Sequence, residues 1–433
     1  MPRLSVLSAA FALFGGLATS ASSEVRAQLA CAYVAGPGTL TAIDLPSAEF
    51  AYRIPFGRIW PDALAVSPQY GLAFVAGRKW LDPLDRWGFP LPEGSDEVAW
   101  SGVVAVDLSS GRTTELAMQG ADSLLVDPTG RRLLVARAGD SRIFSLPWTE
   151  ESASVAVPNL RAAVFSDDGA QLFLATAEAA QRIVIVDTES GSVERELTLP
   201  NSLNVAGMVK VNGERTLILQ PERTAALLEL DLATGVLGSS LSFEGDAYWL
   251  RFDGALRVPL LAAAYRPAGK PPRLQFIDGS SLEVMAQIDP ALETLEGSIG
   301  TVPFDVAVSA GGEFVVLTGE TSFYSIPEDP VVHASFSVHY RTNDQSVSVH
   351  RPSVGPFGRP HVALFPQPCP ELAPCAGDCD GDHRVNVDEL VVLVNIVMRR
   401  ARARGCLAGD QSGDGVITVD EVIGAVSRAL DGC

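Results

Sequence analysis

The stretch Val184-Ile185-Val186-Asp187-Thr188-Glu189-Ser190-Gly191 decides the fold of this chain. Its apolar first half is typical of a short buried strand, an aspartate ends it, and a turn with glycine follows. A short apolar run that ends in aspartate recurs elsewhere, in Thr41-Ala42-Ile43-Asp44, Val104-Ala105-Val106-Asp107, Leu228-Glu229-Leu230-Asp231 and Gln275-Phe276-Ile277-Asp278. A unit that recurs along most of a chain indicates a repeat architecture.

Each unit contains four short apolar runs separated by turn signals. The clearest turns are Ser67-Pro68-Gln69-Tyr70-Gly71, Asp127-Pro128-Thr129-Gly130, Ser166-Asp167-Asp168-Gly169 and Ser309-Ala310-Gly311-Gly312. The first strands of the units are expected to begin near Asp62, Ala121, Leu160, Asn204, Asp246, Phe304 and Pro360. Seven units of four strands predict an all-β fold, a seven-bladed β-propeller, over residues 28–369. Two segments depart from the pattern: 141–147 lacks the aspartate, and 321–353 is too irregular to divide into strands.

The two ends of the repeat region complement each other. Residues 358–366 resemble the first strand of a unit at 58–68, but the partner strand that should follow them is missing. The segment Cys31 to Gly36 supplies such a strand at the other end of the chain. We therefore expect one blade to be completed by both ends, which leaves no open sheet edge. The same alignment places Cys369 beside Cys31 and predicts a disulfide between them.

The repeats resemble the YVTN family of bacterial propellers. The resemblance rests on Ala32-Tyr33-Val34-Ala35 and on the runs that end in aspartate and lead to glycine. It covers most of the chain before the C-terminal region. It implies a seven-bladed propeller and a bacterial source.

Composition and charge narrow the class of partner. Apolar residues make up 47% of the chain and charged residues 19%, which is typical of a folded protein. The formal net charge of -20 repels phosphate backbones and anionic lipid, so we expect no nucleic-acid partner.

The N-terminus predicts export. Arg3 precedes an apolar run from Leu4 to Ala18, and small residues fit cleavage before Gln28, so residues 1–27 are predicted to be a signal peptide. No later segment is long and apolar enough to span a bilayer. We expect a monomer that is secreted, periplasmic or on the cell surface, with no membrane insertion after cleavage.

Six cysteines remain after that cleavage, and five of them lie near the C-terminus. An even number in an exported chain predicts disulfides. Cys375, Cys379, Cys406 and Cys433 are expected to form two bridges, whose connectivity the sequence leaves open. The alternative is a zinc site, which the spacing favours less because no histidine accompanies these cysteines except His383.

Two segments near the C-terminus have the spacing of calcium loops. Oxygen ligands at positions 1, 3, 5, 9 and 12, with the carbonyl of position 7, form the shell that Ca²⁺ prefers. In the first loop these are Asp378, Asp380, Asp382, Asn386 and Glu389, with the carbonyl of Arg384. In the second they are Asp410, Ser412, Asp414, Thr418 and Glu421, with the carbonyl of Val416. Two such loops in tandem predict two bound Ca²⁺ ions.

A short amphipathic helix is expected after each loop. The predicted apolar faces are Leu390, Val394, Val397 and Met398 in the first helix, and Val422, Val426 and Leu430 in the second. Val385 and Ile417 occupy position 8, where paired loops exchange a short β-bridge. Such a small module needs metal and disulfides for its stability.

The loops at residues 370–433 resemble dockerin repeats or a pair of EF-hands. The resemblance implies calcium binding and, for a dockerin, attachment to a cohesin-like partner. At positions 10 and 11, where cellulosomal dockerins often carry hydroxyl residues, this chain has Val387-Asp388 and Val419-Asp420. The resemblance therefore leaves the partner open.

These features predict a secreted calcium-binding propeller that acts as an extracellular binding or scaffold protein, with a protein or glycan as its ligand. The alternative is a propeller hydrolase or lyase, for example one acting on polysaccharide, that carries the same attachment module. The chain contains no nucleophile elbow, phosphate loop or zinc-protease motif, so no catalytic residue is assigned. An enzyme would show carboxylates or histidines converging around the central channel.

Two further features lie near that face of the ring. The segment from Arg78 to Trp100 is an insertion between two strands of one blade. We expect it to be a packed lid over the ring, and the alternative is a loop whose tryptophans and acids grip a glycan or peptide. Four histidines, at positions 333, 339, 350 and 361, fall in the last unit. They match no motif, and we expect partly buried strand residues.

Overall fold

A computed structural model describes the chain from residue 31 to residue 431, with gaps. The residues outside it are 1–30, 37, 48, 57–58, 81–97, 117–120, 122, 138–139, 148–149, 156–159, 177–180, 201–202, 212–214, 223, 245–249, 256–257, 268–271, 289–297, 310, 324–331, 343–345, 351–360, 371–374, 380–383, 399–405, 411–415 and 432–433. The predicted signal peptide, 1–27, lies entirely outside the described residues.

Seven antiparallel sheets of four strands form the body of the protein, and each sheet is one blade. Blade 1 consists of β1 (Cys31–Gly36), β2 (Thr39–Asp44), β3 (Glu49–Pro55) and the late strand β28 (His361–Phe365). Blade 2 consists of β4 (Ile59–Ser67), β5 (Leu72–Trp80), β6 (Val98–Asp107) and β7 (Thr113–Leu116). Blade 3 consists of β8 (Ser123–Val126), β9 (Arg132–Arg137), β10 (Asp140–Ser145) and β11 (Glu150–Val155).

The remaining blades follow in chain order. Blade 4 consists of β12 (Leu160–Phe165), β13 (Gln171–Thr176), β14 (Arg182–Asp187) and β15 (Val193–Thr198). Blade 5 consists of β16 (Val205–Val211), β17 (Thr216–Pro221), β18 (Ala226–Asp231) and β19 (Leu237–Ser242). Blade 6 consists of β20 (Arg251–Gly254), β21 (Leu260–Tyr265), β22 (Arg273–Asp278) and β23 (Val284–Ile288). Blade 7 consists of β24 (Ser298–Val308), β25 (Phe314–Phe323), β26 (Val332–Arg341) and β27 (Ser346–His350).

Blade 1 contains both ends of the repeat region. Strand β28 pairs with β1, and Cys31 lies opposite Phe365 in the register. The disulfide between Cys31 and Cys369 adjoins this pair, with the two Cα atoms 4.8 Å apart. The predicted shared blade and the predicted bridge are both confirmed.

Hydrophobic clusters fill all seven junctions between successive blades, including the junction of blade 7 with blade 1. At that last junction Ala32 and Val34 pack against Phe314 and Val316. The ring is therefore closed by side-chain packing as well as by strand pairing. The prediction of an all-β, seven-bladed β-propeller is confirmed.

The recurrent aspartates close the turn that follows the third strand of a blade. Asp187 accepts hydrogen bonds from the backbone N–H and the hydroxyl of Ser190, at 2.7 and 2.6 Å. Gly191 then adopts a φ of 70°, which glycine reaches without steric cost. The hydrogen bonds from Ser190 hold the pKa of the Asp187 carboxyl below its usual range. The repeated motif is thus a turn signal with a structural role.

Blades 2 and 7 have the longest strands, and they flank blade 1. Strand β24 begins at Ser298, before the expected Phe304, because a bulge between Pro303 and Asp305 lets its pairing with β25 continue. The segment that seemed too irregular to divide contains the end of β25 and all of β26 and β27. The insertion that was predicted from Arg78 to Trp100 is shorter in the structure, because β5 continues to Trp80 and β6 begins at Val98. Residues 81–97 lie outside the described part of the chain.

Two helices follow the propeller, α1 (Val387–Val397) and α2 (Val419–Asp431). They share a small core with Leu393, Ile396 and Ala425 at its centre. Within the described residues, no helix has the length and hydropathy needed to cross a membrane.

The predicted apolar faces of these helices were only partly right. Leu390, Val397 and Val422 pack against the core, but Val394, Met398, Val426 and Leu430 are exposed. Helix α1 carries apolar side chains around most of its circumference, so the pattern alone did not show which face is buried.

Candidate functional site

The first predicted calcium loop closes on its last residue. The Glu389 carboxylate accepts a hydrogen bond from the backbone N–H of Cys379 at 2.7 Å, and another from that of Asn386 at 2.9 Å. The Asn386 side chain in turn accepts from the backbone N–H of Glu389, which makes a capping box at the start of α1. Asp378 and Glu389 are both buried, at 7% and 5% exposure. The fold therefore brings the beginning, position 9 and position 12 of this loop together.

The second loop repeats part of this arrangement. The Glu421 carboxylate accepts a hydrogen bond from the backbone N–H of Thr418 at 2.7 Å, and Glu421 is also buried. Asp410 is half-buried. Position 12 again points back at position 9, as in the first loop.

Four predicted side-chain ligands lie outside the described residues: Asp380, Asp382, Ser412 and Asp414. Within the described part of the chain, no group of three or more His, Cys, Asp or Glu side chains is placed to hold a metal. The donors that are described fit a hard cation, because they are carboxylate, amide and hydroxyl oxygens around two buried glutamates. Arg384 and Val416, the predicted carbonyl donors, are both exposed beside them.

Val385 and Ile417 are buried in the same cluster, as expected for position 8. The expected β-bridge between them is not assigned, so their described contact is through side chains.

The three described cysteines of this module, Cys375, Cys379 and Cys406, are disulfide-bonded, which decides against the zinc alternative. Cys379 is bridged to Cys406, with Cα atoms 4.5 Å apart. Cys375 is also in a disulfide, whose partner lies outside the described residues. A sulfur in a disulfide is not available as a thiolate ligand for zinc.

Each helix presents an exposed apolar stripe. The first consists of Val387, Val391, Val394 and Met398, and the second of Val419, Ile423, Val426 and Leu430. Each residue of one stripe occupies the same place relative to its loop as a residue of the other. Spacings of three and four residues place every stripe on one side of its helix. We call these the first and second stripes.

The inner strands of blades 6, 7 and 1 carry a chain of polar contacts. Asp253 on β20 accepts a hydrogen bond from the backbone N–H of Val308 on β24 at 2.8 Å. Asp305 on β24 accepts from the backbone N–H of Val362 on β28 at 3.1 Å. Inner strands have one edge without a neighbouring strand, and these carboxylates satisfy donors on that edge.

Asp253 has a strongly shifted pKa. Burial raises the pKa of its carboxyl to about 7, backbone hydrogen bonds from Val308 and Gly254 oppose that rise, and the charge of Asp305 adds to it. His361 continues the series, since its Nδ1 lies 3.6 Å from Asp305 Oδ2. Asp253, Asp305 and His361, which we call the channel cluster, are the titratable groups that an enzyme would need at this place.

The channel cluster was largely missed at the level of sequence. His361 was expected to be a partly buried strand residue, which it is, and Asp253 and Asp305 were not singled out. The signal available in the sequence was Asp253 itself. It stands inside an inner strand at a position where other blades have apolar residues, such as Ala65 and Val164. Blade 2, which follows blade 1 in the ring, carries the bidentate pair of Arg78 with Asp62, at 2.9 and 3.0 Å.

Comparisons with known proteins give weak likenesses. No protein-family model matches the chain, and no curated protein matches it. The hydrazine synthase of Kuenenia stuttgartiensis is similar at 16% identity and a TM-score of 0.42, with 53% of this chain and 64% of that chain covered. The present chain thus spans less than two thirds of that protein. The dihydro-haem d1 dehydrogenase NirN, solved in complex with DHE, is similar at 17% identity and a TM-score of 0.47, with 78% and 75% covered. Neither likeness bears on activity.

Proposed function

We propose that this chain is an exported, calcium-binding propeller that serves as an extracellular binding or scaffold protein. In this proposal residues 28–369 form the propeller and residues 370–433 form an attachment module with two calcium ions. The observation that carries it is the pair of exposed apolar stripes on helices that begin at the two acidic loops. A duplicated apolar surface on so small a module is typical of a site that binds another protein.

Calcium would give the module the rigidity that its small core lacks. Buried carboxylates such as Glu389 and Glu421 cost free energy unless cations or donors compensate them. The loops supply Asp378, Asn386 and Glu389 in one half, and Asp410, Thr418 and Glu421 in the other, for this purpose. A bound Ca²⁺ would fix the start of each helix and so the direction of its stripe.

Export is supported by the disulfides. Bridges at both the ring closure and the C-terminal module are typical of an oxidising compartment. A negative net charge of -20 also suits a protein that binds hydrated cations outside the cytoplasm.

The calcium assignment predicts a change in stoichiometry. Glu421→Gln keeps the capping hydrogen bonds but removes the charge at position 12, so it should leave one strong site of two. Glu389→Gln should have the same effect through the other loop. Isothermal titration of the metal-stripped full chain measures this, with the exposed Glu283→Gln as a control that keeps two sites. Two undiminished sites in both loop variants would refute the assignment.

If the two stripes bind the partner equivalently, the partner should still bind when only one stripe is altered. Val391→Gln and Ile423→Gln remove one exposed apolar side chain from the first and second stripe, with no loss of helix propensity. If both stripes present equivalent surfaces, each single variant retains most of the binding and the double variant loses it. Surface plasmon resonance of proteins from the culture medium over the immobilised full chain, with Ca²⁺ and with EDTA, provides the readout.

The control for the stripes is Val284→Gln, an exposed valine of the propeller. It should bind as the wild type does. Equal binding by wild type and double variant, or binding that ignores EDTA, would contradict a calcium-supported attachment surface.

A second candidate is an enzyme, and the channel cluster favours it. A carboxyl with a pKa near neutrality beside a carboxylate and a histidine is suited to general acid and base chemistry. Both aspartates already satisfy backbone donors, so a structural role is established for them without catalysis. Polysaccharide turnover by the wild type that Asp305→Asn lacks would favour the enzyme over the binding protein.

A further inference from the structure

A cavity of about 310 Å³ lies between blades 4 and 5, and its lining includes no residue of the channel cluster or of the predicted calcium loops. Its floor is the apolar junction of the two blades, with Phe173, Ile185 and Leu232 buried there. Phe173 lies opposite Ile185 in the strand pairing, and Ile185 lies opposite Arg195. Directly paired residues share one face of a sheet. Phe173, Ile185 and Arg195 therefore form a row that runs from the apolar floor of the cavity to its charged rim. We call this cavity the junction groove.

Two arginines stand on opposite sides of the junction groove. Arg195 comes from β15 of blade 4, and Arg215 comes from the residue before β17 of blade 5. The Arg195 guanidinium donates a hydrogen bond to the carbonyl of Leu232 across the junction. This contact holds the Arg195 side chain at the groove, and among the described residues its other N–H groups have no hydrogen-bond acceptor.

The two acidic groups near the groove, Glu194 and Asp231, each accept hydrogen bonds from neighbouring side chains. The Glu194 carboxylate, which also lines the groove, accepts a hydrogen bond from the Gln171 amide at 2.6 Å. The Asp231 carboxylate accepts from the backbone N–H and the hydroxyl of Thr234, at 2.7 and 2.9 Å. These hydrogen bonds and the charge of Arg215 hold the pKa of Asp231 below its usual range.

Arg215 is exposed, and within the described residues its guanidinium has no hydrogen bond and no ion pair. The charge of Arg215 acts on Asp231, but in a chain with a net charge of -20 an arginine without a hydrogen-bonded acidic partner among the described residues is unusual. Guanidinium groups bind planar anions through paired N–H donors, and carboxylates match that geometry.

We propose that the junction groove binds a small organic carboxylate that has one apolar face. The carboxylate lies between Arg195 and Arg215, and the apolar face lies on Phe173, Ile185 and Leu232. Ligand pockets start at roughly 300 Å³, so the occupant has the size of a single ring, as in an aromatic acid or a uronic acid. This site is independent of calcium and of the attachment module.

The test is a titration of the full chain with three probes, benzoate, glucuronate and acetate, by ligand-observed NMR. Saturable binding of benzoate, of glucuronate or of both is expected, and the stronger of the two identifies the aromatic or the sugar acid. Acetate has the charge without the apolar body and should bind at least about tenfold more weakly. Acetate binding as strong as that of the larger acids would contradict the role of the floor.

Two substitutions test whether the acid binds in the junction groove. Arg215→Gln should weaken binding by at least about tenfold, the loss expected for one charge-assisted hydrogen bond. Ala233→Asp adds a carboxylate at the exposed edge of the groove and should abolish binding by repulsion. Arg112→Gln removes the same charge from an exposed position in blade 2 and should bind as the wild type does. No saturable binding to wild type, or equal binding by all three variants, would overturn the proposal.

Discussion

Replacing Cys31 and Cys369 together by alanine is expected to lower the free energy of unfolding of the propeller by about 3 to 5 kcal/mol. The bridge joins residues separated by 338 positions, so it restricts nearly the whole repeat region in the unfolded chain. Without it, blade 1 depends on the pairing of β1 with β28 and on the clusters at its two junctions. Urea unfolding followed by circular dichroism measures the change.

The matched control is the alanine pair at Cys379 and Cys406, whose bridge spans only 27 positions. It should leave the main unfolding transition of the propeller near its wild-type midpoint. An unchanged midpoint in the Cys31 and Cys369 variant would mean that the ring is closed by packing and strand pairing alone.

Asp253→Asn is expected to make the propeller more stable than wild type at pH 8, by up to about 4 kcal/mol. The reason is the pKa of Asp253, raised from 3.8 to about 7 chiefly by burial. A carboxyl with a raised pKa binds its proton more tightly in the folded state. Its stabilising contribution is therefore complete below pH 4 and is lost as pH rises through 7. Asparagine keeps an oxygen for the N–H of Val308 but carries no charge to bury.

The advantage of Asp253→Asn should vanish near pH 4, which thermal unfolding across pH 4 to 8 would show. Asp231→Asn provides a contrast of opposite sign. Hydrogen bonds from Thr234 lower the pKa of Asp231, so its contribution is present at neutral pH and is lost as pH falls below about 4. A difference between Asp253→Asn and wild type that does not vary with pH would contradict the raised pKa.

The propeller was predictable because its signals are local and repeated. Aspartate and glycine in turns such as Asp187 to Gly191 fix where strands end, and the apolar runs between them fix how many strands there are. The shared blade was predictable as well, since residues 358–366 lacked a partner that Cys31 to Gly36 could supply. Strand ends in blades 2 and 7 were less predictable, because pairing continued past a bulge at Pro303 and Asp305.

A candidate site could be predicted from the sequence only where spacing along the chain sets it. The predicted calcium ligands follow one another within each loop, so the pattern from Asp378 to Glu389 could be noticed without a fold, and calcium binding stays a prediction. The channel cluster and the junction groove are built from separate blades. Asp253 and Asp305 come together because β20 and β24 are neighbours in the ring, and Arg195 and Arg215 line one groove because blades 4 and 5 are neighbours. No local pattern encodes those distances.

The exposed stripes could be predicted only in part. The sequence indicated two amphipathic helices, and it placed Val394, Met398, Val426 and Leu430 on their buried sides. In the fold, Leu393, Ile396 and Ala425 fill the core instead. The residues that face solvent are Val394, Met398, Val426 and Leu430. Two apolar faces on one short helix allow either to be buried, and the contact between α1 and α2 decides which one is.

The most direct measurement is the amount of calcium that the metal-stripped full chain takes up. Equilibrium dialysis against Ca²⁺ in the millimolar range, where extracellular loops of this type bind, followed by elemental analysis would give the number of ions per chain. Two ions per chain are predicted, one for each loop. A chain that retains no calcium above the level of the buffer would contradict the central proposal.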